Sequence, residues 1–288
     1  MLDSKSAQAD FLGTTAAGTV ADTVAVLGCG TMGEAIVRGL LRSGCVKPEQ
    51  LYATDRRTEV VRGLREKHGI RTTGDNLDAC RAAGVILVCV KPHEVAAALD
   101  SDAMRGALRG KLVISIAAGI RLDQLRGWLP DSHLIRAMPN TPCLIGEGMT
   151  VIARGPGVND SHAAIASQIF RAVGRCVEAE DKVMDAVTSL NGSGPAFAYM
   201  ILEALSDGGV RMGLRRDAAM EIAAQMVQGA ARMVLQTGMH PAALKDQVTT
   251  PAGCTIAGLL ILEDGRMRSV VARAVEEAAL VASKLGQS

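Results

Sequence analysis

Residues 28–33 read GCGTMG, between the apolar run TVAVL and the helical pattern MGEAIVRGLLRSG. Gly28, Gly30 and Gly33 therefore keep the GxGxxG spacing of a dinucleotide-binding turn. The first glycine allows the tight turn, and the second lets a pyrophosphate approach the backbone. The third lets the helix pack close to the strand, and the helix N-terminus offers free N–H groups to the phosphate. A tight strand–helix turn with no ligand has the same spacing. Here the motif opens a repeated strand–helix pattern, which favours dinucleotide binding.

That pattern continues along the chain. LYATD (51–55) predicts a second strand and VVRGLREKHG a second helix, stopped by Gly69. VILVCVKP (85–92) is a continuous apolar run, as a buried parallel strand requires. HEVAAALDSDAMRGAL predicts one helix, and LVISIAAGI, HLIRAMPNTP and MTVIARG predict further strands. The expected fold is an α/β doubly wound sheet over residues 21–180. From 181 to 288 the signals are helical: AFAYMILEALSDGGVRMGL, RRDAAMEIAAQMVQGAARMVLQTG and RMRSVVARAVEEAALVASKL are long, amphipathic and rich in Ala and Met. Their apolar faces are broad, and we expect part of them to be buried against a second subunit. Residues 1–20 lack a signal-peptide core and read as a flexible tail; Asp3 and Asp10 argue against a transit segment.

Composition excludes several classes. The net charge is +1 with no block of like charges, so no basic nucleic-acid groove is expected. One Trp, two Tyr and three Phe leave few stacking platforms for single strands. Seven cysteines are dispersed without a CxxC pair, which suits reduced thiols and a cytoplasmic protein. No apolar run approaches the roughly 20 residues of a membrane span. Nothing supplies metal-ligand spacing.

The second strand ends in Asp55, followed by Arg56 and Arg57. An acid there bonds ribose hydroxyls and favours NADH; adjacent arginines hold a 2′-phosphate and favour NADPH. We expect NADPH, with NADH as the alternative. Ligands bind beyond the carboxyl ends of the strands, so the loops CVKP and AMPNTP should face the cofactor. Lys91 is a general acid or a surface lysine; Asn140 and Thr141 bond a ligand or shape the turn before Pro142. His68, His93, His133, His162 and His240 read as surface residues or caps, with His93 alone near the cofactor edge.

The motifs VAVLGCGTMGEAI, VCVKP, SIAAGI, RAMPNTP, NGSGPAF and DQVTTPAGCTIAGLLILE occur in this order across residues 22–286. Joined so, they resemble the Δ1-pyrroline-5-carboxylate reductase family, the last motif being the most specific. The resemblance implies an N-terminal Rossmann domain and a helical C-terminal domain that interlocks in a homodimer, with further assembly to decamers. It implies hydride transfer from NAD(P)H to the C=N carbon of a cyclic imine carboxylate, giving L-proline.

It also implies a site. Gly28, Gly30, Thr31 and Met32 line the pyrophosphate, with Asn76 on the adenosine side. Val90, Lys91, Pro92 and Ala117 border the cofactor. Thr250, Ala252, Gly253, Cys254 and Thr255 offer N–H groups to the substrate carboxylate at the start of a helix. Val248 walls the pocket, and Ser193 and Gly194 lie near the ring. Thr255 meets the imine nitrogen through its hydroxyl; the alternative is a helix cap without substrate contact. Asn191 stands where the family commonly has Ser. Cys29 and Cys254 lie near helix N-termini, where a thiolate is favoured, so oxidation is a conceivable form of inhibition. Rival readings are another imine reductase, a 3-hydroxyacid dehydrogenase relative, or a nucleotide-binding sensor.

Overall fold

The computed structural model describes residue 20 and residues 22–285. The expected tail thus lies outside the described residues except for Val20, which is buried and donates its N–H to the Cys45 carbonyl at 2.9 Å. The chain forms two compact units. The larger runs through Pro195 and includes the chain again from Val275; the smaller is Ala196–Ala274.

In the larger unit the strands are β1 (Val24–Leu27), β2 (Leu51–Thr54), β3 (Arg71–Thr73), β4 (Val85–Val88), β5 (Leu112–Ser115), β6 (His133–Met138), β7 (Gly148–Arg154) and β8 (Gly174–Glu178). They form one sheet in the order β3-β2-β1-β4-β5-β6-β7-β8. All neighbours are parallel except β6 and β7. The helices alternate with them: α1 (Thr31–Arg42), α2 (Thr58–His68), α3 (Asn76–Ala82), α4 (Val95–Leu99), α5 (Asp102–Leu108), α6 (Leu122–Trp128) and α7 (Asp160–Arg171). The order reverses at β1, which lies between β2 and β4. That switch point is where an open α/β sheet leaves a crevice for ligands.

Side chains alternate across a strand, and the core follows that rule on both faces. Val24 and Val26 of β1 join Ile36, Leu40 and Phe170 in one buried cluster. Ala25 and Leu27 join Leu99, Leu108 and Leu125 in the other. Burial on both faces explains why these strands read as continuous apolar runs.

The structure refines several expected elements. The helix expected over residues 93–108 is broken into α4 and α5, because Ser101 caps α5 by accepting from the Met104 N–H at 3.2 Å. Gly69 stops α2 in the left-handed region, as expected. β3 and β8 went unpredicted.

Residues 181–195 pack in the larger unit. Arg136 on β6, 1% exposed, pairs with Asp181 at 3.1 Å and Asp185 at 2.9 Å. α8 (Met184–Val187) leads into a π-helical turn at Thr188–Ser193 and then α9 (Gly194–Arg211).

The smaller unit holds most of α9, then α10 (Arg216–Thr237), α11 (Pro241–Gln247), α12 (Cys254–Asp264) and the start of α13 (Met267–Leu285). α9 and α10 meet through small residues: a Cβ on Gly209 would lie 3.2 Å from that of Ala219. α12 carries the sequence CTIAGLLILED, yet none of its residues is buried. Leu260, Ile261 and Leu262 are exposed there, as are Met220, Ile222 and Met226 on α10.

Candidate functional site

At the switch point the three glycines play three distinct parts. Gly28 has φ +87°, and a Cβ on it would lie 2.9 Å from Val90 Cγ1. The loops after β1 and β4 therefore abut, and only glycine satisfies both the backbone and the space. A Cβ on Gly33 would lie 2.2 Å from the Gly28 carbonyl oxygen, so α1 packs directly on the turn. A Cβ on Gly30 would meet no protein atom within 4 Å. Gly30 is the N-cap of α1 and makes no side-chain cap bond, so the first N–H groups of α1 lack a capping partner. This open approach to an uncapped helix N-terminus fits a pyrophosphate.

Beside it lies a recess of about 280 Å³, lined in part by Cys29, Gly30, Thr31, Glu34, Arg38 and Arg57. Asp55 closes the corner after β2. Its Oδ1 accepts from the Arg57 N–H at 3.0 Å and Nε at 2.9 Å. Its Oδ2 accepts from Arg57 Nη2 at 3.0 Å and from the Cys29 N–H at 3.0 Å. The hydrogen-bonded Arg57 guanidinium holds the carboxyl below its ordinary range. Arg56 pairs instead with Glu94 and is 86% exposed. Asn76 starts α3 and accepts from the Thr54 hydroxyl at 2.6 Å, which holds it at the carboxyl end of β2.

On the β4 side, the exposed Lys91 donates its N–H to Glu94 at 3.3 Å, and Pro92 opens a 3₁₀ turn. Val90 is half-buried against Gly28. Ala117, after β5, is buried and donates its N–H to Ser115 Oγ at 3.3 Å. Asn140 is bonded within the larger unit. Its Oδ1 accepts from the Met149 N–H at 2.9 Å and its Nδ2 donates to Asn191 Oδ1 at 3.0 Å. Asn191 donates onward to the carbonyls of Met138 at 2.7 Å and Met149 at 3.0 Å. The π-helical turn that ends in Ser193, with Gly194 opening α9, is thereby tied to the loop after β6. Ser193 and Gly194 are both half-buried.

In the smaller unit, the segment from Val248 to Gly253 joins α11 to α12. The exposed Val248 ends α11. Ala252 has φ +56°, a conformation rare outside glycine. The turn closes as Gly253 donates its N–H to the Thr250 carbonyl at 3.2 Å. A Cβ on Gly253 would lie 2.4 Å from Thr250 Oγ1, so a larger residue there would have to turn the Thr250 side chain aside. Gly253 is also the N-cap of α12 and supplies no side-chain bond. Cys254 and Thr255 are therefore the first two helical residues. The capping alternative for Thr255 is overturned: it stands two residues after the N-cap. Its half-exposed side chain sits beside N–H groups that the helix itself cannot satisfy.

One further expectation changes. Cys29 is not a thiolate candidate: burial, with Asp55 and Glu34 nearby, pushes its thiol up to about 12. Cys254 is exposed. His240 is a cap, accepting from the Ala242 N–H at 3.2 Å, while His133 and His162 stack with ring centroids 4.2 Å apart. Among the described residues no cluster of His, Cys, Asp and Glu could hold a metal. Glu34 and Arg38 were not expected in the recess; helical spacing from Thr31 is the sequence signal that places them there.

Comparison with known proteins covers both units. The model described as pyrroline-5-carboxylate reductase dimerisation matches residues 181–285, and that described as NADP oxidoreductase coenzyme F420-dependent matches residues 23–119. A pyrroline-5-carboxylate reductase of Arabidopsis thaliana is 39% identical over 265 residues, covering 92% of this chain and 96% of the relative. The structure of a pyrroline-5-carboxylate reductase from Coxiella burnetii superposes with a TM-score of 0.87 at 32% identity, over 93% of this chain and 99% of that one. A Plasmodium falciparum pyrroline carboxylate reductase with NADP bound gives 0.83 at 29% identity, over 93% and 100%. This chain belongs to the pyrroline-5-carboxylate reductase family.

Proposed function

We propose that the chain reduces 1-pyrroline-5-carboxylate to L-proline, the last step of proline biosynthesis, with NADPH as the preferred reductant and NADH as the alternative. The observation that carries the reading is the uncapped start of α12, with Thr255 as its second residue. A carboxylate needs N–H donors, and a helix N-terminus supplies them with a favourable dipole. The N–H groups of Thr250, Ala252, Cys254 and Thr255 serve the substrate carboxylate. Gly253 contributes the fold that exposes them, and Val248 walls the ring.

The Thr255 hydroxyl meets the imine nitrogen and orients the ring. A threonine is a poor acid, so an imine protonated in solution needs alignment from the protein more than a proton. The bound reduced nicotinamide supplies the hydride to the C=N carbon. Gly30, Thr31 and Met32 hold the pyrophosphate through backbone N–H groups. Gly28 and Gly33 make the turn that allows this. Asn76 reaches the adenosine side; Val90, Lys91, Pro92 and Ala117 border the dinucleotide, and Ser193 and Gly194 lie near the ring.

Assembly belongs to the same reading. A helix as apolar as α12 with no buried residue is poorly accounted for within one chain. We expect a homodimer as the unit, with decamers as a higher assembly and the cytoplasm as the location. Among the described residues no helix is long and apolar enough to cross a membrane.

The test is loss of the reduced-nicotinamide absorbance band with purified protein and pyrroline-5-carboxylate, NADPH and NADH run in parallel. Rapid loss with formation of proline is the expected result. Cofactor binding without loss would leave a dinucleotide-binding protein with a different substrate.

A further inference from the structure

The acid at the end of β2 is the residue by which a doubly wound fold recognises an unphosphorylated adenosine ribose, since it accepts from the ribose hydroxyls. Asp55 holds that place but has no acceptor position to spare. A carboxylate offers about four lone-pair sites. Here two serve Oδ1 contacts from Arg57, one serves Arg57 Nη2, and one serves the Cys29 N–H. The Cys29 bond also anchors the carboxylate to the glycine loop, so it cannot turn outward without releasing that loop.

We propose that the Asp55–Arg57 pair is the cofactor-selecting device of this chain, Arg57 masking the acid and presenting its guanidinium to a dinucleotide phosphorylated on the adenosine ribose. The inference rests on the dinucleotide-binding reading of the switch point. Arg57 is 55% exposed along its side chain, and among the described residues its Nη1 has no partner. It lines the recess beside Gly30 and Thr31, which also receives Arg38. The acidic groups facing this corner are Glu34, in the recess, and Glu59, close enough to act on Arg57. Neither is hydrogen-bonded to Arg57. Arg56, paired with Glu94, does not line the recess.

The corner thus combines a neutralised acid with a cation that has a spare edge, which favours a dianionic phosphate over a pair of hydroxyls. If Arg57 is removed, a bare carboxylate faces the same ligand. Masking therefore predicts more than the loss of one phosphate contact: it predicts that removing the acid as well restores binding.

Dissociation constants for NADPH and NADH would be measured by protein fluorescence on the wild type, Arg57→Gln, Arg57→Lys and the double variant Asp55→Asn/Arg57→Gln, with circular dichroism and NADH binding as checks of folding. The wild type is expected to prefer NADPH. Arg57→Gln lowers the NADPH-to-NADH preference about tenfold or more, as loss of a charge-assisted bond requires. Arg57→Lys falls between, because it keeps the charge without the fork. The double variant recovers part of the NADPH affinity, a coupling that a plain phosphate ligand would not show. A preference unchanged in Arg57→Gln, a wild type that prefers NADH, or a double variant as weak as the single one would overturn the proposal. A wild type that binds neither dinucleotide would overturn the cofactor reading itself.

Discussion

Asn140 and Asn191, 51 residues apart in sequence, are bonded amide to amide at 3.0 Å. With the bonds to the Met138 and Met149 carbonyls and from the Met149 N–H, the pair forms a clasp between the loop after β6 and the π-helical turn before α9. Asn191→Ala would leave two carbonyls and one amide donor without partners in a half-buried place. We expect it to lower stability by about 2–4 kcal/mol, and Asn191→Ser by less, since a hydroxyl replaces one bond at most. Chemical denaturation of the purified variants checks this; equal stability would mean that water replaces the clasp without loss.

The glycine loop separates folding from binding. Gly33→Ala drives a Cβ to 2.2 Å from the Gly28 carbonyl oxygen, and backbone must move. Its melting temperature should fall sharply. Gly30→Ala meets no protein atom, so its cost should be the weaker N-cap alone, about 1 kcal/mol or less. Cofactor affinity should nonetheless fall about tenfold or more, because the methyl group stands where a pyrophosphate approaches. Thermal melts and cofactor titrations on both variants test the separation. Intact binding in Gly30→Ala would contradict it.

Thr255→Ala should lower kcat for the imine about tenfold to a hundredfold, as loss of an orienting hydrogen bond implies. The dissociation constant for NADPH should stay unchanged, since the residue lies outside the dinucleotide-binding turn. Thr255→Ser should recover most of the rate. Wild-type turnover in the alanine variant would remove the hydroxyl from the mechanism.

Asp55 also gives a pH dependence. Arg57 lowers its folded pKa, so its ionised form stabilises the fold above the unfolded pKa. That contribution disappears as pH falls through the depressed folded value. The melting-temperature gap between wild type and Asp55→Asn should therefore be present at neutral pH and close as pH falls below about 4. A gap that widens in acid would mean that the pairing is absent in solution.

The parts of the fold legible in the sequence are those with strong local signals. Buried on both faces, β1, β4 and β5 read as unbroken apolar runs, and Gly69 marks the end of α2. β3 is three polar-leaning residues, RTT, at one edge of the sheet, and β8 is GRCVE at the other. An edge strand with one face in solvent carries too little apolar pattern to stand out. The break between α4 and α5 was written in the serine of LDSD, but the apolar spacing on either side outweighed it.

The candidate site divides the same way. Glycine spacing and the helix after TTPAG are local features. The saturation of Asp55 depends on a backbone N–H 26 residues away, and the Asn140–Asn191 clasp on folded proximity. Residue types alone made Asp55 and Arg57 look like rivals for the same ribose, whereas the fold makes them partners.

Hydride transfer to the C=N carbon of the imine carboxylate is the step on which the proposed activity turns. Its most direct measurement uses NADPH deuterated at the transferable nicotinamide position, with pyrroline-5-carboxylate and analysis of the product by mass spectrometry and NMR. Proline carrying one deuterium on the ring carbon that bore the C=N bond is the expected product. Unlabelled proline, or no proline while the protein holds the cofactor, would contradict it.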